Sequence, residues 1–467
     1  MIKFGTSGWR AIIGEEFTFK NVRLVTLAIA RHLQAKGLPK AKVVVGYDTR
    51  FLSDRFSREA AAVLAAHGMT ALRSDRDVPT PVVAYTIIRK KLDGGINFTA
   101  SHNPPEYNGL KFSTAEGAPA PPEVTQAIEA EIHSLQRHRE LVIPAQSHDD
   151  LKEMDCRPAY LKRIRELVDM PLLARRPLKL GVDFLFGTSR GYLDALLPKG
   201  RQAPLLLHNY LDPYFGGSNP DCSEANLQEM AGLVREKGLD LGLSTDGDAD
   251  RFGIVDETGA YVRPNLVLGL LAWYLAEAKG QKTGLGRTVA TTHLLEKIAK
   301  HYKMPCHETP VGFKYLGELF LAGKIHFGGE ESAGLSIGGH VPEKDGILAC
   351  LMVCEMRAAW DAPLSVLVER MFKKFGPYHS TRVDLHLAAA AYAKAPERLK
   401  RDPKAIGRLK VKKVIRLDGL KCVLEDGSWV LFRLSGTEPV VRIYAEAAAP
   451  RALEALIASA QKYFTEQ

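Results

Sequence analysis

The sequence is short of the features that mark membrane, secreted and metal-ribbon proteins. Its most apolar stretch, residues 266–278, is too short to cross a bilayer and carries Glu277. The first residues, Met1-Ile2-Lys3-Phe4-Gly5, lack the apolar core of a secretory signal. A cytoplasmic protein with no membrane partner is therefore expected. The six cysteines (156, 222, 306, 350, 354 and 422) are scattered, and none has the CxxC spacing of a zinc ribbon or redox pair, so free thiols are expected. Only Cys350 and Cys354 are close, at a spacing that suits one helix face. Aromatic residues make up 8% of the chain and are absent from the basic runs at 162–165 and 408–416. Those runs fit solvated faces, and no nucleic-acid partner is expected, although the net charge of +9 suits an acidic or phosphate-bearing ligand.

What is present is an ordinary globular balance. Hydrophobic residues make up 46% and charged residues 25% of 467 positions, enough for roughly three domains at about 150 residues each. Residues 42–46 form a short apolar run that ends in glycine, a buried-strand signal. The alanine-rich segment 57–67 has helical spacing and stops at Gly68. A strand at 94–99 delivers the chain to Ser101, and a helix follows over 122–139. The polar, irregular segment 141–158 reads as a boundary. Beyond it come a helix at 159–168 and strands at 178–182 and 239–243, the last leading into Asp246. Helices are expected at 265–279, 294–302 and 345–361, and Gly376-Pro377 punctuates a further boundary. The remainder mixes strands at 411–417, 429–434 and 440–446 with a helix from residue 450. Strand–helix alternation implies α/β layers in units 1–140, 157–255 and 256–375, and an α+β unit over 376–467.

Four segments could carry chemistry. Thr99-Ala100-Ser101-His102-Asn103-Pro104-Pro105 puts a hydroxyl, an imidazole and an amide on a proline-braced turn, with Lys111 close downstream. A plain polar turn would account for the same residues. Asp246-Gly247-Asp248-Ala249-Asp250-Arg251 alternates carboxylates with small residues. Three such charges need a cation, and all-oxygen ligation favours Mg²⁺. An EF-hand would require glycine where Arg251 stands and helices where strands are expected. Gly328-Gly329-Glu330-Glu331-Ser332-Ala333-Gly334 offers close approach and hydrogen bonds to a polyhydroxylated ligand. Gly334-Leu335-Ser336-Ile337-Gly338 matches the hydrolase elbow pattern, but no strand is expected before it. Arg433-Leu434-Ser435-Gly436-Thr437-Glu438-Pro439, with Arg442 nearby, combines a guanidinium with hydroxyl and backbone donors suited to phosphate, or forms a Ser-Gly-Thr turn beside a surface arginine.

Together with Gly5-Thr6-Ser7-Gly8-Trp9-Arg10, these segments resemble, in order and rough spacing, the α-D-phosphohexomutase superfamily, which includes phosphoglucomutase and phosphomannomutase. The resemblance spans nearly the whole chain. It implies four domains around a central cleft, three similar α/β mixed-sheet domains and a smaller C-terminal α+β domain. They would carry, in turn, the phosphoserine, the metal, the sugar site and the phosphate site. It implies that Ser101 carries the phosphoryl group and that Mg²⁺ binds Asp246, Asp248, Asp250 and an oxygen on Ser101. Arg10, His102, Lys111 and Arg251 would surround the reacting centre, with His340 a further acid/base. Glu330 and Ser332 would hold sugar hydroxyls, with Gly312, Phe313 and Lys314 in the same site. Arg433, Ser435, Gly436, Thr437 and Arg442 would hold the phosphate that is not reacting.

The implied reaction interconverts hexose 1-phosphate and hexose 6-phosphate through a hexose 1,6-bisphosphate that also serves as activator. The sequence Gly-Glu-Glu-Ser-Ala-Gly at 329–334 and Thr-Pro-Val-Gly-Phe-Lys at 309–314 look glucomutase-like, which favours glucose and glucose 1,6-bisphosphate; mannose or dual use is the alternative. The partner would be a phosphosugar, and the chain a monomer or homodimer. Two other readings stay open: an aspartyl-phosphate phosphotransferase using Asp246 or Asp248, and a basic nucleic-acid-binding protein.

Overall fold

Val43, Val44 and Val45 are wholly buried, as a strand covered on both faces requires. They lie at the centre of the first of four sheets. The computed structural model describes residues 2–5, 8–137, 152–198, 203–434 and 440–465. Thr6, Ser7, Ser435, Gly436 and Thr437, singled out above, lie outside them. The first sheet comprises β1 (Trp9–Ile12), β2 (Lys42–Tyr47), β3 (Thr70–Ser74), β4 (Gly94–Phe98), β5 (Tyr107–Ser113) and β6 (Lys152–Met154), in the order β1-β5-β4-β2-β3-β6. The second holds β7 (Leu180–Asp183), β8 (Leu205–Leu207), β9 (Leu241–Thr245) and β10 (Phe252–Val255), ordered β10-β9-β7-β8. The third holds β11 (Leu285–Thr288), β12 (Cys306–Thr309), β13 (Phe327–Glu330) and β14 (Gly334–Ile337), ordered β12-β11-β13-β14.

These three sheets repeat one design that no short sequence period betrays. In each, a parallel strand turns back into an antiparallel partner: β4 into β5, β9 into β10, and β13 into β14. The turn between the two strands carries Ser101 in the first sheet, the three aspartates in the second and Glu331-Ser332 in the third. Ligand-binding groups collect at the carboxyl ends of parallel strands in such layers.

Lys152–Met154 pairs in parallel with β3 and so extends the first sheet beyond residue 140. Three largely exposed residues at a sheet edge show no apolar alternation, which is why the segment reads as a linker. The second and third units also share more than their boundary at 256 suggests. The helix Gly346–Trp360 packs against β9 and β10 as well as against its own unit. It is apolar on nearly every side, as a helix enclosed on all faces must be, and it buries Cys350 and Cys354. Asp345 caps its start, accepting the Leu348 amide at 2.9 Å. One apolar cluster runs through all three units, from Val44 and Val82 through Val182 and Leu243 to Leu268, Phe327 and Ile347.

The fourth unit is antiparallel throughout, with β15 (His379–His386), β16 (Ala405–Ile406), β17 (Leu409–Ile415), β18 (Leu420–Leu424), β19 (Trp429–Leu434) and β20 (Val440–Ala447) in the order β15-β20-β19-β18-β17-β16. Its core is its own, built with the helix Pro450–Thr465. Its other face sets Trp429, Leu431 and Tyr444 against Val289 and Ala290 of the third unit. Among the described residues, no helix is long and apolar enough to cross a membrane.

Candidate active site

Ser101 stands in a left-handed backbone conformation, φ 53°, that a non-glycine residue adopts at a cost of roughly 1–2 kcal/mol. The Thr99 hydroxyl accepts the Ser101 amide at 2.8 Å and so helps to hold the turn. The Ser101 hydroxyl donates to Asp246 Oδ2 at 2.9 Å and lies 3.3 Å from His102 Nδ1. Thus the first turn meets the second directly. Gly247 makes the approach possible, because a Cβ there would sit 2.9 Å from the Ser101 carbonyl oxygen.

The three aspartates converge. One oxygen from each lies within 4.8 Å of the others, and all three side chains are buried. Ala249 takes a left-handed φ of 55°, which curls the chain between them. Lys111 Nζ reaches Asp248 at 2.6 Å and Asp250 at 3.0 Å, and Lys344 Nζ lies 3.1 Å from Asp250. The Thr80 hydroxyl donates to Asp248 at 2.5 Å. Asp248 Oδ1 and Asp250 Oδ1 are buried without a hydrogen-bond partner. Buried carboxylate oxygens are rarely left in that condition, and an all-oxygen set of this kind fits a hard divalent cation.

The charges interlock. Burial, reinforced by Asp248 and Asp250, pushes the Asp246 carboxyl well above its usual range. Burial also acts on Asp250, but Lys111, Lys344 and Arg251 outweigh it and hold that carboxyl below the usual range. Arg251, burial and Arg10 together push His102 well below the usual imidazole value. Arg10 donates to Asn103 Oδ1 at 2.6 Å, so a residue from the first strand steadies the Ser101 turn.

The third turn lies alongside. Glu330 is buried and accepts the Gly312 amide at 3.0 Å; burial pushes its carboxyl up to about 7. Glu331 accepts hydrogen bonds from Thr288 and Thr291, both at 3.2 Å, and Ser332 is half-buried. Phe313 lies under the Lys344 ammonium, 5.7 Å from its ring centre, and the half-buried Lys314 follows it. Ser336, from the hydrolase-like pattern, is a mid-strand residue of β14 whose hydroxyl donates to the Val341 carbonyl at 2.7 Å. On the fourth unit, Arg433 and Arg442 face each other across β19 and β20, and Arg433 lies 3.0 Å from Asp418.

His340 is set apart from this cluster. Its ring is fully enclosed, with Nε2 2.8 Å from Asp345, and it packs beside Tyr85 and Tyr160 where three units meet. Its neighbours there are a helix cap and two tyrosines. The sequence reading missed Lys344, Thr80 and Arg50. Glu343-Lys344-Asp345, a charged trio just before a wholly apolar helix, was the available signal for Lys344. Asp48-Thr49-Arg50, polar residues ending a buried strand, was the signal for Arg50. Thr80 gave none.

Comparison with known proteins sets this geometry in context. Residues 1–139, 158–259 and 263–375 match alpha/beta/alpha domains I, II and III of phosphoglucomutase/phosphomannomutase, and residues 390–460 match its C-terminal domain. The chain is 30% identical to a phosphoglucomutase/phosphomannomutase of Thermococcus kodakarensis over 95% of this chain and 94% of that one. It is 28% identical to a phosphoglucosamine mutase of Campylobacter curvus, covering 99% and 98% of the two chains. A Thermus thermophilus structure assigned as a phosphomannomutase superposes with a TM-score of 0.86 at 34% identity, covering 99% and 98%.

Proposed function

Because the chain belongs to the phosphoglucomutase/phosphomannomutase family of the α-D-phosphohexomutase superfamily, we propose that it interconverts glucose 1-phosphate and glucose 6-phosphate through a phosphorylated Ser101. The observation that carries the reading is the Ser101 hydroxyl 2.9 Å from Asp246, on a strained turn pressed against the three-aspartate turn. In the forward half-reaction the bond from phosphorus to Ser101 Oγ breaks and a bond to a sugar hydroxyl forms. The sugar hydroxyl gives up its proton, and the serine leaves as an alkoxide equivalent that must be neutralised. His102, 3.3 Å from Ser101 Oγ, and Lys111, between Asp248 and Asp250, are the groups placed to exchange that proton. The resulting glucose 1,6-bisphosphate reorients, and its other phosphate returns to Ser101.

Asp246, Asp248, Asp250 and the Ser101 oxygen would hold Mg²⁺, which when bound offsets the charge of the transferring phosphoryl group. Lys111, Lys344, Arg10 and Arg251 add fixed positive charge around the same point. Glu330 and Ser332 would orient the sugar hydroxyls, with Gly312, Phe313 and Lys314 lining the same site. Arg433, Arg442 and the 435–437 segment would hold the distal phosphate. Glu331 supports glucose over mannose and glucosamine. The deciding experiment compares kcat/KM for glucose, mannose and glucosamine 1-phosphates with Mg²⁺ and a trace of the matching bisphosphate. Glucose is expected to lead; a leading mannose or glucosamine substrate would overturn the glucose assignment while leaving the mutase reading intact.

A further inference from the structure

Arg50 stands at the carboxyl end of β2, one strand from the Ser101 turn, and its side chain is wholly enclosed. Its guanidinium carries five N–H donors in a rigid fan. Nη2 donates to the carbonyls of Ser101 at 2.8 Å and Asn103 at 2.6 Å; Nη1 donates to those of Pro104 at 2.7 Å and Tyr107 at 3.0 Å. Three of the acceptors belong to one turn and the fourth, Tyr107, opens β5 directly after it. Behind the fan, Nε lies 3.2 Å from Asp48 Oδ2, an equally enclosed carboxylate whose other oxygen is bound by the Arg50 amide and the Ser53 hydroxyl. Phe215, from the second unit, closes the remaining face, with its ring centre 5.0 Å from the guanidinium carbon.

A turn of residues 99–106 between two strands makes few hydrogen bonds of its own, and two of its residues are prolines that donate none. The Ser101 carbonyl is thus held by Arg50 on one side, and on the other it lies so close to Gly247 that a Cβ there would sit 2.9 Å away. A left-handed serine persists only where its surroundings over-determine it. We propose that Arg50 is a positioning residue for phosphoryl transfer: its four Nη hydrogen bonds set the Ser101 turn against the aspartate turn and thereby the line of attack at the phosphorus. The inference rests on the phosphoserine reading. A lysine at this position keeps the charge but cannot present parallel donors to four carbonyls.

The test measures kcat, KM and single-turnover phosphorylation of Ser101 by glucose 1,6-bisphosphate in the full chain with Mg²⁺, for Arg50→Lys, Asp48→Asn and Ser101→Ala. A displacement of about 1 Å at the reacting atom costs on the order of 10²-fold in rate. Arg50→Lys should lose about that factor in both kcat and the phosphorylation rate, with KM nearly unchanged because the sugar and distal phosphate are held elsewhere. Asp48→Asn, which keeps the fan but loosens its anchor, should show a smaller loss of the same kind. A kcat for Arg50→Lys equal to the unmodified protein, or a rise in KM at constant kcat, would overturn the inference. Retained activity in Ser101→Ala would instead overturn the phosphoserine reading, so the two failures are distinguishable. If Arg50→Lys does not fold, the kinetic pattern of Asp48→Asn decides alone.

Discussion

The Ser101 and Arg433 regions are built on opposite plans. At the Ser101 end, three units share one apolar core, and each contributes a turn to a cluster that is almost entirely buried. At the Arg433 end, a single antiparallel unit with its own core leans on the third unit through Trp429, Leu431 and Tyr444. A few polar contacts accompany them. Glu446 accepts from Trp429 at 2.8 Å and from the His293 amide at 2.9 Å, and Asn265 donates to Ser380 at 2.7 Å. Phosphoryl transfer is mostly a matter of position and charge, and a shared core holds position. In the proposed reaction, capturing a phosphate in two substrate orientations would need the opposite property, a clamp whose placement can adjust without disturbing the reacting centre.

Four changes would break or sharpen this contrast. The largest effect should come from Lys344→Met, which removes a cation 3.1 Å from Asp250. Loss of one fixed charge stabilising the transferring group costs on the order of 10²–10³-fold; steady-state kinetics should show that loss in kcat, with little change in KM. Trp429→Ala attacks only the joint between the third and fourth units. Deleting a buried tryptophan costs about 3 kcal/mol or more, so calorimetry should show a separate, earlier transition for the fourth unit, and KM should rise more than kcat falls. Arg442→Ala should raise KM for glucose 1-phosphate by about 10–100-fold, the worth of a charge-assisted hydrogen bond to phosphate, leaving Ser101 phosphorylation competent.

The smallest effect concerns pH. Burial raises Glu330 from 4.5 to about 7, so between those values the folded chain binds more protons than the unfolded chain. Stability therefore falls as pH rises from about 4.5 to about 7 and is level above that, by this group's contribution. Glu330→Gln should remove that decline and leave the substrate-free protein more stable at pH 8 by on the order of 1–2 kcal/mol, read from urea midpoints at pH 5 and pH 8. In the same variant, sugar binding should weaken at both values.

Contiguity decided what could be read from the chain. Asp246, Asp248 and Asp250 sit within five positions, so their convergence follows from local spacing, and Ser101-His102-Asn103 is equally compact. Partners brought in by the fold were invisible. Thr80 bonds Asp248 across 168 positions; Lys111, which reaches it across 137, was legible only through its nearness to the Ser101 turn and the family resemblance. Lys344 sits in the charged trio Glu343-Lys344-Asp345, which the helix capped by Asp345 turns inward. The edge strand Lys152–Met154 offered no alternation, because an exposed three-residue strand needs none. His340, placed near the chemistry by analogy, is bound to the carboxylate that caps a helix. The repeat of the first three units lives in strand order and turn position, which sequence period does not encode.

The central claim is that the phosphoryl group travels on Ser101. The most direct measurement incubates the protein with isotopically labelled glucose 1,6-bisphosphate and Mg²⁺, then locates the label by peptide mass spectrometry. The account predicts label on Ser101, lost on chase with unlabelled glucose 1-phosphate. Label on Asp246 or Asp248, or turnover of substrate with Ser101 unlabelled throughout, would contradict it.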